Sequence, residues 1–149
     1  LHTPGHTPGQ VAVYVPEERA VFTGDTIFSE CTRWLMTSNV DQWITALDRI
    51  RALDIDHVIP GHGPVQTKDY LATQRSFMLE WKAAVAVAIA KGWSREETIA
   101  RVSFADRYPV DIGQEYMMDY IQERNAGALY DLFTAPTTTT YPAKDAPPR

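Results

Sequence analysis

Residues 10–15 form a mostly apolar run rich in β-branched side chains, so they predict a strand. Pro16, Glu17, Glu18 and Arg19 supply a turn, and residues 20–23 predict a second strand and hence an antiparallel hairpin. Gly24 and Asp25 are expected to end that strand. Residues 26–37 show no clear period and read as an ordered loop carrying Phe28, Cys31, Arg33, Trp34 and Met36. Ser38 or Asn39 can cap a following helix, and Asp41 suits its positive end. Val40, Trp43, Ile44, Leu47, Ile50 and Leu53 then recur at helical spacing as one apolar stripe. Residues 56–59 read as a short strand halted by Pro60, and the helix between the two strands suggests an α/β unit.

Beyond residue 66 the period is helical. Residues 67–91 place Tyr70, Leu71, Phe77, Met78, Trp81, Val85 and Ile89 roughly on one side. Ser94 with Glu97 has capping-box spacing and predicts a short helix to about residue 102. A loop over 103–111 precedes a last helix over 112–133, with Tyr116, Met117, Tyr120, Ile121, Leu129 and Leu132 expected as its buried face. Residues 135–149 hold four of the ten prolines and four consecutive threonines, a composition expected to stay disordered.

Composition narrows the picture. The chain has 149 residues, 44% hydrophobic and 22% charged, enough for one domain that buries its core without a disulfide. Cys31 is its single cysteine, which excludes an internal disulfide and a thiolate cluster and suits a reducing compartment, so a cytoplasmic location is favoured. The net charge of −5, with basic residues scattered, gives no footprint for nucleic acid. The longest apolar run, residues 83–90, is too short to span a bilayer.

Three polar residues then stand out. His6, Asp25 and His62 each lie beside glycines, and Asp25 and His62 each follow a predicted strand. Ends of strands in one sheet converge, so the three can share a site. Imidazole and carboxylate are expected ligands for Zn²⁺, with Fe or Mn as alternatives, and adjacent glycine lets the backbone turn sharply. Taken singly, Gly24-Asp25 reads as a plain turn and His62 as a surface loop residue; their combination raises the metal reading.

The motifs H-T-P-G-H-T-P-G at 2–9, T-G-D-T-I-F at 23–28 and V-I-P-G-H-G-P at 58–64, in this order, resemble the second half of the metallo-β-lactamase superfamily of hydrolases, in its glyoxalase II-like and cyclase-like branch. The resemblance covers about residues 1–66. It implies an α/β fold, the second half of an αββα sandwich, with residues 67–133 as a helical extension and 134–149 as a tail. It further implies His6 as a metal ligand, Asp25 as the carboxylate bridging two metals, and His62 as a ligand of the second metal. Asp25 is then the catalytic residue of a centre holding two Zn²⁺, in which a metal-bound hydroxide attacks a carbonyl. The expected substrate is a small ester, thioester, lactone or lactam-like molecule.

The family's other ligands come from an upstream H-x-H-x-D-H motif, which this sequence lacks. His2 is expected to serve the loop and His57 the strand. Three ligands, one shared, do not hold two ions tightly. The chain is therefore expected to be the carboxy-terminal portion of a longer hydrolase and inactive alone. Arg33 and Trp34, near the metals if the resemblance holds, are candidate substrate contacts for an anion and an apolar group. The alternatives are Trp34 in the core and Arg33 in solvent. Cys31 is expected to be a passive thiol. No membrane or nucleic-acid partner is expected, and the C-terminal helices suggest a homodimer. Two competing functions are a non-catalytic half-module binding a metal or partner chain and a nuclease of the same superfamily, which the acidic balance opposes.

Overall fold

The computed structural model describes residues 1–36, 38–111 and 113–135. Its centre is a three-stranded sheet in the order β1-β2-β3. β1 (Val13–Val15) and β2 (Ala20–Phe28) pair antiparallel, with Val13 opposite Phe22. A 3₁₀ turn over Pro16–Glu18 joins them and closes at Arg19, whose φ is +49°. β3 (His57–His62) lies parallel to β2, and α1 (Val40–Arg51) crosses between them. The hairpin and the α/β unit are as expected.

The strand boundaries differ from expectation in ways that matter for the site. β1 is shorter, because residues 10–12 pair with the opening residues instead: Thr3 donates to the Gln10 carbonyl and Ala12 to that of Leu1, both at 2.9 Å. Gly24 and Asp25 do not end β2. The strand runs on to Phe28, with register shifts on either side of Gly24. Likewise β3 continues through Pro60 to His62, because Gly24 and Phe28 of the extended β2 remain opposite Pro60 and His62.

A displaced strand leaves backbone groups that need partners. Helix side chains supply them. The Thr26 carbonyl accepts from the Trp43 indole at 2.8 Å and from Gln74 Nε2 at 2.6 Å, while the Phe28 amide donates to Gln74 Oε1 at 2.9 Å. Trp43 lies on α1 and Gln74 on α2 (Tyr70–Ala90), and both are fully buried. Asn39 caps α1, accepting from the Gln42 amide, and Val40, Trp43, Leu47 and Ile50 are at most 1% exposed.

α3 (Arg95–Arg101) begins with the expected capping box between Ser94 and Glu97. The last helix, α4 (Met118–Thr134), starts later than expected, after a 3₁₀ turn over Glu115–Met117. Its buried face is also different. Tyr116, Tyr120 and Leu132 are exposed, whereas Gln122 and Asn125 join Ile121, Ala126 and Leu129 inside. The two amides are there because they satisfy backbone elsewhere. Asn125 donates to the Arg33 carbonyl and accepts from the Leu35 amide, each at 2.7 Å, and Gln122 accepts from the Phe104 amide at 2.8 Å. The tail expected to be disordered falls, from residue 136 on, outside the described residues.

Val21 and Val58 are fully buried on one face of the sheet, in a core with Trp43, Leu47, Ile50, Met78 and Trp81. The opposite face shows Val11, Val13 and Phe22 at 49–59% exposure. Among the described residues no helix is long and apolar enough to cross a membrane.

Candidate metal centre

The three motif residues meet at one end of the sheet. Asp25 Oδ2 lies 3.6 Å from His6 Nε2, and Asp25 Oδ1 lies 3.4 Å from His62 Nε2. Each carboxylate oxygen thus faces a different imidazole. Asp25 reaches this place from within β2 because Gly24, at φ +50°, takes a left-handed conformation open to few other residues and re-aims the strand. Gly61 makes room opposite. A Cβ there would overlap the Asp25 carboxylate and the Gly24–Asp25 peptide.

Aromatic rings hold the histidines. Phe28 stacks on His62 with centroids 4.6 Å apart and planes 7° from parallel, and the His6 ring meets Trp43 edge-on at 5.2 Å. Burial pushes the His6 imidazole below its ordinary pKa, outweighing the Asp25 carboxylate, which raises it. A neutral imidazole has the lone pair a metal needs. The Asp25 side chain, at 42% exposure, leaves the cluster open to solvent.

The spacing suits metal ions better than direct hydrogen bonds, which close to about 2.7–3.2 Å. Ligands ~2.0–2.2 Å from one tetrahedral ion lie about 3.3–3.6 Å apart, as the two pairs do. His6 with Asp25 therefore fits one ion and His62 with Asp25 a second. Among the described residues no three His, Cys, Asp or Glu side chains are placed to hold a single ion.

Of the remaining candidates, Trp34 meets the cluster through its backbone, which hydrogen-bonds the His6 imidazole. His2 Nε2 is 2.9 Å from the Pro8 carbonyl and tightens the opening loop, as expected. His57 is exposed at the far end of β3. Trp34 is half-buried and packs against the core. Arg33 is neither solvated nor open to an anion. It is 0% exposed, with its guanidinium 4.6 Å from the centre of Phe77 and 4.2 Å from that of Tyr108. A cavity of about 510 Å³ bordered by Met36, Arg95, Arg124 and Asp131 shares no residue with the histidine cluster.

One further neighbour of the cluster has no signal in the sequence. Asp111 Oδ2 lies 2.9 Å from His62 Nδ1. A lone aspartate after Pro109 and Val110 carries no local signal, and only the tertiary fold brings it to His62.

Residues 1–62 match the family model described as the Metallo-beta-lactamase superfamily. The beta-lactamase-like protein 2 homolog of Caenorhabditis elegans is 39% identical over 68 residues, covering 46% of this chain and 22% of the relative. A hydroxyacylglutathione hydrolase of Brucella anthropi is 33% identical over 108 residues, 72% of this chain and 38% of the relative. The chain thus spans well under half the length of these relatives. In fold it is similar to a stereoselective inverting sec-alkylsulfatase from Pseudomonas sp., with a TM-score of 0.62 at 19% identity, over 90% of this chain and 23% of the sulfatase. That match takes in the helices as well as the sheet.

Proposed function

We propose that this chain contributes His6, Asp25 and His62 to the dinuclear metal centre of a hydrolase acting on a small acyl substrate, with a thioester as the favoured class. The observation that carries the reading is the Asp25 carboxylate, whose two oxygens face two imidazoles at the spacing of ligands sharing an ion. Bridging suits a carboxylate, and neutral imidazoles leave the ions enough positive charge to act as Lewis acids. When bound, the ions would supply electrophilic activation and a nucleophile at neutral pH. His6, Asp25 and His62 would hold the ions, with Trp43 packed against the His6 ring, Phe28 against the His62 ring, and the Asp25 side chain open to solvent. The thioester preference follows from likeness to a hydrolase of an acylated glutathione. Zinc is the favoured metal, with Fe or Mn as alternatives. Two ligands per ion leave each shell open, so turnover requires further ligands such as the H-x-H-x-D-H motif that the resemblance implies.

Calorimetric titration with Zn²⁺ of protein whose metal shells are complete tests the reading. Removing one histidine, His6→Ala or His62→Ala, is expected to cost one ion, while Asp25→Ala weakens both. Zinc uptake by Asp25→Ala equal to that of the wild type would overturn the bridging role. Hydrolysis of an S-acylglutathione, set against a lactone and a cephalosporin in protein whose metal shells are complete, separates the substrate classes.

A further inference from the structure

We infer that Asp111 is a positioning residue for His62, delivered to the metal centre by the helical part of the chain. The inference rests on His62 being a metal ligand. Two contacts define where that imidazole points. The Phe28 ring, 7° from parallel at 4.6 Å, fixes the plane. Rotation within the plane is set by the Asp111 carboxylate, 2.9 Å from Nδ1. A carboxylate only accepts, so Nδ1 carries the proton and donates it to Asp111. Nε2 then keeps its lone pair and faces Asp25 Oδ1 at 3.4 Å. The other tautomer would place a proton where the ion belongs. An outer carboxylate that holds a ligating histidine in this way also raises its basicity toward the metal.

The loop bearing Asp111 is held for this task. The Thr32 amide donates to the Pro109 carbonyl at 2.7 Å, and Tyr108 lies against the buried Arg33 guanidinium at 4.2 Å. Val110, directly before Asp111, is 6% exposed. Arg33 thus serves the site from behind, by anchoring the loop that carries Asp111. The helical extension is joined to the centre through a side chain rather than lying beside it.

Long-range ¹H–¹⁵N correlation spectra of the metal-free chain read the His62 tautomer directly, at a pH where the ring is neutral. The wild type is expected to show the Nδ1–H form. Asp111→Ala should populate both forms, because an unrestrained neutral imidazole adopts either, and should bind Zn²⁺ at the His62 position roughly 10–100-fold more weakly. Should Asp111→Ala fail to fold, Asp111→Ser, whose hydroxyl is too short to reach, carries the same test. An unchanged Nδ1–H tautomer in the variant, or an Nε2–H ring in the wild type, overturns the inference. His62→Ala separates this from the parent reading. If it leaves zinc binding intact, His62 is not a ligand; if it weakens binding while Asp111→Ala does not, the ligand stands and the positioning role falls.

Discussion

Cys31 shows how burial keeps a thiol unreactive. It is 4% exposed, and burial pushes its thiol up from 9.0 to about 11, with Asp111 adding to the shift and Arg33 opposing it. The thiolate is the reactive form, so at pH 8 the folded chain should react with a disulfide reagent far more slowly than the same chain in denaturant. The linkage has a definite sign. Between pH 9 and 11 the unfolded thiol has lost its proton and the folded one has kept it, so stability falls as pH rises through that window. The loss approaches ~2 kcal/mol at most. It should be measurable as a drop in denaturation midpoint from pH 8.5 to 10.5 that Cys31→Ala lacks. Equal drops in both proteins would show that Cys31 ionises freely when folded.

Elements whose residues pair with neighbours in sequence could be read from the sequence; elements set by distant partners could not. The Asn39 cap, the α1 stripe and the Ser94–Glu97 capping box are local and appear as expected. The continuation of β2 to Phe28 is not local, because it depends on Gln74, 48 residues from Thr26. The α4 face departs from the apolar stripe for the same reason, since Gln122 and Asn125 are core residues only by virtue of backbone partners near residues 32–35 and 104. His6, Asp25 and His62 could be singled out because each stands beside glycine in a motif that resembles the metallo-β-lactamase superfamily, whereas Asp111 carries no such signal. Arg33 is the sharpest case. Its sequence suggested an anion contact, but its guanidinium joins the segment after β2 to Phe77 of α2 and to Tyr108. Its Nε and Nη1 find no hydrogen-bond partner among the described residues. A buried charge so poorly matched contributes mainly through packing. Arg33→Met, which keeps the volume, should stay within ~1 kcal/mol of the wild type, while Arg33→Ala should lose ~2–4 kcal/mol by leaving a void between the two rings. Urea denaturation measures both. A Met variant as unstable as the Ala variant would show that the charge itself is needed.

At the scale of the whole molecule, the two faces of the sheet are treated unequally. One is sealed by α1 and α2 over Val21 and Val58, and the other carries Val11, Val13 and Phe22 into solvent. Val13 and Phe22 are directly paired across β1 and β2, so their side chains form one continuous apolar surface. Such a surface on a small sheet favours association, and a sandwich fold buries its equivalent against a second sheet. The chain of 149 residues is therefore expected to self-associate at micromolar concentration and to bind a hydrophobic dye. Phe22→Lys combined with Val13→Thr should reduce both, while leaving the far-ultraviolet circular dichroism unchanged, because neither side chain belongs to the sealed core. Light scattering after size exclusion reads the association directly. If the wild-type chain runs as a monomer without binding the dye, the exposed face is stable in water by itself. If instead association persists in the double variant, the contact lies elsewhere, and the exposed Tyr116, Tyr120 and Leu132 of the C-terminal region become the next surface to change.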